Sequence, residues 1–179
     1  MSTRRIVTGR SPTGRAVVIS DGLSPWTVDA SHLPGLRTEL LWQTANPPTL
    51  PSAFSADPAQ DATTLLPGAG ATSIQVVTFP PDASANPGRA TQAELGADLA
   101  KAFPGLAERF EHDNPGMHVT DTVDYCVLLD GELVMELDDG VTTVIRKHDI
   151  VIQNGTRHGW RNRSDQPATM LFVMLGATR

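Results

Sequence analysis

From residue 116 to residue 175 the chain is cut into short apolar, β-branched runs by turn residues, and that rhythm limits the fold more than any other feature. The runs cover residues 116–131, 132–137, 141–146, 149–153, 157–162 and 168–175. They are separated by Asp130-Gly131, Asp138-Asp139-Gly140 and Asn154-Gly155. Asp-Gly and Asn-Gly supply the positive φ angles that tight antiparallel turns require, so these strands return on one another. Short strands at this spacing predict an antiparallel barrel or sandwich.

The first half has a different texture. Twelve of the fourteen prolines precede Gly105, so loops and short extended pieces should dominate there. Residues 5–20 read as a hairpin around Ser11-Pro12-Thr13-Gly14, residues 39–44 as a short strand, and residues 73–79 as a strand stopped by Pro80-Pro81. Residues 46–70, rich in Pro, Ala, Ser and Gly, read as a long irregular segment that wraps the core or lines a pocket mouth. Thr91-Gln92-Ala93-Glu94 is a capping box in front of Leu95, Leu99 and Phe103. It predicts a surface helix over residues 91–103, packed on the β core and ended by Pro104-Gly105. The expected fold class is all-β with one or two short helices.

With 179 residues, 40% hydrophobic and 19% charged, the chain is ordinary globular material sized for one domain. A net charge of -6 argues against nucleic acid or an anionic membrane as the main partner. The single cysteine, Cys126, rules out an intramolecular disulfide and fits a reducing compartment; mid-strand, it reads as a small buried filler. Arg4 and Arg5 have no apolar run behind them, so the N-terminus does not read as a secretory signal. No stretch approaches the ~20 apolar residues of a membrane helix. A cytoplasmic protein is expected.

Strand alternation puts His118, Thr120, Thr122 and Asp124 on one face, and a histidine with a carboxylate there is raw material for metal or acid/base chemistry. The competing reading is a polar stripe facing solvent. Trp160 shares a face with His158 and can shape an apolar wall, whereas Arg157 points away. Asp121, Glu111 and His112 are further candidates near the mouth. Tyr125 falls on the opposite face, and His32 and His148 read as surface or turn residues. No Gly-rich phosphate loop and no Gly-x-Ser-x-Gly pattern is present.

Two intervals in this region resemble the motifs of the cupin family, G-x5-H-x-H-x3,4-E-x6-G and G-x5-P-x-G-x2-H-x3-N. Here His118 is followed by Thr120, Asp124 and Gly131, and Gly155 by His158 and Asn162. The resemblance implies a cupin-type antiparallel jelly-roll β-barrel, with residues 1–110 supplying N-terminal strands, loop and helix and residues 111–179 the core of a single domain. It also implies a divalent metal, Fe, Mn, Ni or Zn, near the barrel mouth, with His118, Asp124 and His158 as ligands and catalytic groups. Thr120, Trp160 and Asn162 would line the substrate pocket. Thr120 replaces the family's second histidine, Asp124 its glutamate and Gln153 its proline, so the donor set is thinner than usual.

Two functions stay open at this stage. One is a metal-dependent enzyme acting on a small carbonyl, carboxylate or aromatic substrate by decarboxylation, lyase or dioxygenase-type chemistry, with Asp124 as general base if it is not a ligand. The other is a non-catalytic small-molecule-binding cupin that has lost its metal. The resemblance further implies a homodimer that exchanges an edge strand, either Ile6-Val7 or residues 39–44.

Overall fold

The computed structural model of the chain describes residues 2–50, 57–84, 88 and 90–179. It is built from antiparallel strands that bury their alternate residues against one another. Six strands form the large sheet, in the order β3 (Trp26–Asp29), β4 (Arg37–Thr44), β5 (Thr72–Phe79), β11 (Ala168–Gly176), β6 (Thr122–Asp130) and β9 (Ile150–Gln153). A smaller sheet pairs β10 (Gly159–Arg161), β7 (Glu132–Glu136) and β8 (Thr142–Arg146). The sheets close over a common core in which Leu40, Val77, Cys126, Leu128, Met170 and Phe172 of the first meet Leu133 and Ile145 of the second. This is the antiparallel jelly-roll barrel that the family resemblance implies, and it falls within the barrel-or-sandwich class that the turn-punctuated strands predict.

Inward alternation is clean where it positions the site. On β6, Asp124, Cys126 and Leu128 are buried, while Tyr125 and Leu129 face out. Asp124 stands opposite Gln153 of β9 and Met174 of β11. Burial pushes the unpaired Cys126 thiol's pKa up, as suits a filler. Gly131, at φ 80°, ends the strand in a turn so tight that a Cβ would lie 2.7 Å from the Pro167 carbonyl oxygen.

The helix α1 (Gln92–Ala102) starts as its capping box predicts. The Thr91 hydroxyl accepts from Glu94 N–H at 3.2 Å, and Thr91 N–H donates to the Glu94 carboxylate at 2.7 Å. The buried carboxylate of Asp98 accepts from Ser31 N–H and His32 N–H, tying the helix to the loop after β3. Among the described residues no helix is long and apolar enough to cross a membrane.

Three expectations are modified. The ladder of the 116–131 stretch begins only at Thr122. Gly116 turns the chain at φ 87°, the Asp121 carboxylate is drawn out to Arg179, and His118 joins through an isolated bridge to His158. Strand β3 is additional, four residues long and flanked by Pro25, too short to carry a periodic signal. Part of the 46–70 segment, residues 51–56, lies outside the described residues. The remainder wraps the core, with Ala59 and Leu65 fully buried, and does not line the barrel cavity.

The N-terminal strands form a separate two-stranded sheet, β1 (Arg4–Arg10) with β2 (Ala16–Leu23). It is anchored to β4 by polar contacts: Thr3 N–H and hydroxyl donate to the buried Glu39 carboxylate, and Arg5 donates to the Leu41 carbonyl and pairs with Asp57.

Candidate functional site

The barrel holds a cavity of about 170 Å³ into which His118, His158 and Asp124 open. The two histidines hold each other by their backbones, His118 N–H to His158 O at 2.9 Å and His158 N–H to His118 O at 3.0 Å. Their rings therefore sit side by side, centroids 4.3 Å apart. Each ring is oriented by a carbonyl two residues earlier, His118 Nδ1 to Gly116 O at 3.0 Å and His158 Nδ1 to Thr156 O at 2.9 Å. A carbonyl oxygen only accepts, so both protons reside on Nδ1 and both Nε2 atoms keep a lone pair. Burial holds both histidines below the usual imidazole range, His158 at about 4, where the neighbouring His118 also disfavours its charge.

Asp124 is 3% exposed, and its Oδ1 is buried with no hydrogen-bond partner. Burial pushes its pKa up to about 6, against a smaller opposing effect of the Thr122 hydroxyl. Such a carboxylate is poised to exchange a proton near neutrality.

The walls are apolar. Val77, Phe79, Phe172 and Trp160 line the barrel side, and Leu99, Phe103, Leu106 and Phe110, contributed by α1 and the turns after it, close the other. Aromatic rings run through the site from Phe103 to Phe110, His118, His158, Trp160 and Phe172 at centroid distances of 4.3–5.9 Å, edge-to-face except for the tilted His118–His158 pair. The helix expected merely to pack on the barrel is thus the lid of its cavity. The capping box locates a helix, but nothing local says that its apolar stripe faces a hole.

Charged straps hold the segment carrying His118. Arg157 donates to Glu111 through both Nε and Nη2 at 2.6 Å and to Asp138 at 2.9 Å. Arg161 donates to Glu136, to the Pro115 carbonyl and to Asn114. The side chain of Arg157 points away from the cavity, as strand alternation predicts. Sequence spacing gave no sign that it and Arg161 strap residues 111–115 to β10, because those contacts cross 46–47 residues of chain.

The remaining candidates fall elsewhere. Thr120 and Asn162, expected on the pocket wall, are buried but do not line the cavity. The Thr120 hydroxyl accepts from Thr122 at 2.8 Å. Asn162 donates to the Phe79 and Gln166 carbonyls and accepts from Ser164, knotting the loop before β11. Asp121 is engaged by Arg179, and His148 occupies an exposed turn at φ 74°. Trp160 does line the cavity.

His118, Asp124 and His158 share one cavity, but among the described residues no three His, Cys, Asp or Glu side chains are gathered closely enough to form a cation site. What fits a divalent ion is the pair of Nε2 atoms, two unprotonated imidazole nitrogens without protein partners.

Residues 111–174 match the family model described as "Cupin domain". The phomopsin biosynthesis cluster protein C' of Diaporthe leptostromiformis is 45% identical over 62 residues, 34% of this chain and 33% of that protein. The match therefore spans about a third of that relative's own length. The cupin-domain-containing oxidoreductase srdB of Neurospora crassa is 29% identical over 154 residues, 79% of this chain and 76% of its own. A Cupin 2 conserved barrel domain protein from Salinispora arenicola superposes with a TM-score of 0.42 at 15% identity, over 84% of this chain and 86% of the other.

Proposed function

From a chain that carries a cupin domain over residues 111–174, we propose a barrel enzyme that takes a small, neutral, hydroxyl-bearing aromatic or polyketide-like substrate. The observation that carries this reading is the polarity of the cavity. His118 and His158 present Nε2 lone pairs, Asp124 presents carboxylate oxygens, and no lysine or arginine lines the wall. Acceptors in an apolar chamber are satisfied by O–H or N–H donors or by a cation, and they repel carboxylates and phosphates. A carboxylate substrate, and with it decarboxylation, is accordingly disfavoured among the reactions that the family resemblance opens.

Asp124 is the proposed general base. It would take a proton from the substrate hydroxyl or an adjacent carbon, while the histidine Nε2 atoms orient the substrate and Trp160, Phe172 and Phe110 exclude water. In the metal-dependent form of this reading the same Nε2 atoms of His118 and His158 would instead hold Fe, Mn, Ni or Zn, which would supply Lewis-acid polarisation or redox chemistry, and Asp124 would act as base only where it is not a third ligand. The names of several relatives, cupin-domain-containing oxidoreductases and biosynthesis cluster proteins, support an oxidoreductase in a biosynthetic setting. The buried, unpaired Cys126 supports a reducing, cytoplasmic setting.

The absence of a gathered third ligand favours one alternative, a non-catalytic small-molecule-binding cupin. Both readings share the acceptor-lined chamber, and titration with phenol, anisole and benzoate tests it. Phenol should bind at least about tenfold more tightly than anisole, and benzoate weakest of the three. Preferential benzoate binding overturns the reading. Metal content after purification without chelator, compared with the His118→Ala, His158→Ala double variant, separates metalloenzyme from binding module.

A further inference from the structure

His118, His158 and Asp124 offer acceptors to the cavity, and one further polar side chain in its wall, Gln75, offers donors. Strand alternation on β5 turns Gln75 inward with Val77 and Phe79, and all three line the chamber. Gln75 is 3% exposed. Glutamine is seldom buried without good partners, because its amide gives up water on folding.

Among the described residues the Gln75 side chain makes one hydrogen bond, from Nε2 to the Met174 sulfur. A thioether is a weak acceptor, and an amide nitrogen carries two N–H groups. One donor of Gln75 therefore has a poor partner and the other has none. The rest of the chamber is short of donors. Both imidazole protons go to backbone carbonyls, and an ionised Asp124 carries none. The Trp160 indole adds an N–H beside His158, so Gln75 is the donor of the β5 wall.

The register sets how far this donor stands from the proposed base. Gln75 pairs with Phe172 of β11, and Phe172 with Cys126 of β6, two residues from Asp124. Strand spacing then puts Gln75 and Asp124 roughly 12 Å apart at Cα. Phe172 and Met174 of β11, both in the cavity wall, stand between them. A ligand that reaches both groups must carry two polar ends on an apolar body.

We propose that Gln75 is the carbonyl-recognition residue of this cavity, and that the substrate is a hydroxyaryl ketone or aldehyde. Its hydroxyl meets Asp124 and the histidine Nε2 atoms, and its carbonyl oxygen accepts from the Gln75 amide. This rests on the acceptor-lined chamber and narrows what fills it. A carbonyl oxygen is a better acceptor than a thioether, so Gln75 exchanges a weak partner for a stronger one. A neutral amide suits a neutral carbonyl, whereas a carboxylate would call for arginine or lysine in its place.

Titration with 3- and 4-hydroxyacetophenone, beside the isopropylphenols of the same shape, tests the subsite. The protein should bind one hydroxyacetophenone at least about tenfold more tightly than its isopropylphenol match. With that ligand isotope-labelled at the carbonyl, infrared difference spectra should show the stretch below its value in an apolar solvent. The carbonyl also makes the phenol more acidic, so variants assign the effect to the residue. Gln75→Met keeps the length of the side chain and removes the donor. It should weaken that ligand at least about fivefold, with phenol changed less than about twofold, and return the stretch toward the apolar value. Met174→Leu alters the same wall without touching the donor and should keep the shift. Thermal unfolding checks that both variants fold, and the infrared shift in the unmodified protein needs neither. If phenol outbinds anisole but the carbonyl is unshifted or adds no affinity, the carbonyl subsite falls and the acceptor chamber stands. A shift that survives Gln75→Met also overturns the proposal, and a preference for benzoate overturns both readings.

Discussion

At the scale of single residues, Asp124 and His158 give the protein opposite pH responses. Burial raises the Asp124 pKa from the ordinary 3.8 to about 6, so its ionisation costs the fold stability. That cost is absent below the unfolded pKa and fully present once pH has risen through the folded one. Asp124→Asn should therefore stabilise the protein by about 3 kcal/mol at pH 7.5, a gain that fades between pH 6 and pH 4, read by urea unfolding at a series of pH values. If the carboxylate acts as base, activity rises through pH 6 in the parent enzyme and is lost in the variant. His158 behaves the other way. With a folded value near 4 against 6.5, it contributes stability above pH 6.5 that is lost as pH falls to 4. His158→Gln should flatten the acid limb of the stability profile in that window, measured by the same unfolding series. Strand alternation legibly turns Asp124 inward, whereas His118 precedes the ladder and reaches the cavity through its isolated bridge to His158. Thr120 and Asn162 misled, since burial in a barrel wall and contact with its cavity are different things that alternation alone does not separate.

At the scale of elements, the strands and the capped helix follow from local chemistry, and the lid does not. The capping box fixes where α1 starts, but its position over the cavity depends on Asp98 gripping two backbone N–H groups 66–67 residues away. Desolvation raises the pKa of that carboxyl, and the His32 and Ser31 N–H groups more than offset it. Asp98→Ala leaves those donors unsatisfied and should cost about 2 kcal/mol, with faster hydrogen exchange along residues 92–110 than in β6 or β11. A uniform increase across the barrel would instead show that the helix is no separate unit. The strand β10 is tight in another way. A Cβ on Gly159 would sit 2.7 Å from Met117 Sδ and 3.2 Å from the Gly116 carbonyl. Gly159→Ala should push the His118 and His158 bridge apart and weaken phenol binding more than it lowers the melting temperature, read by titration beside thermal unfolding.

At the scale of the whole molecule, the N-terminal hairpin is tied to the barrel through a buried charge. Glu39 is 1% exposed, and its carboxylate takes the Thr3 N–H and hydroxyl, with Arg37 at 3.8 Å. Deleting residues 2–23 strips the Thr3 donors from Glu39, so the truncated barrel should lose several kcal/mol. Adding Glu39→Val to the truncation should recover part of it, because an apolar β-branched side chain needs no partner there. Denaturant midpoints of the three proteins check this. An antiparallel barrel or sandwich was readable from turn chemistry and strand period because both are local properties, and the motif resemblance narrowed it to the jelly-roll. The docking of the hairpin was not, because polar contacts across 36–52 residues leave no periodic trace.

The file of rings through the cavity has an optical consequence. Trp160 stands 5.5 Å from His158 and 5.8 Å from Phe172, in the wall of the chamber that the proposed substrate would enter, whereas Trp26 and Trp42 lie outside it. In a Trp26→Phe, Trp42→Phe background the indole becomes a built-in gauge of occupancy, its emission shifting as water is displaced from beside it. Entry and release can then be timed by stopped flow without labelling the protein or knowing its natural substrate.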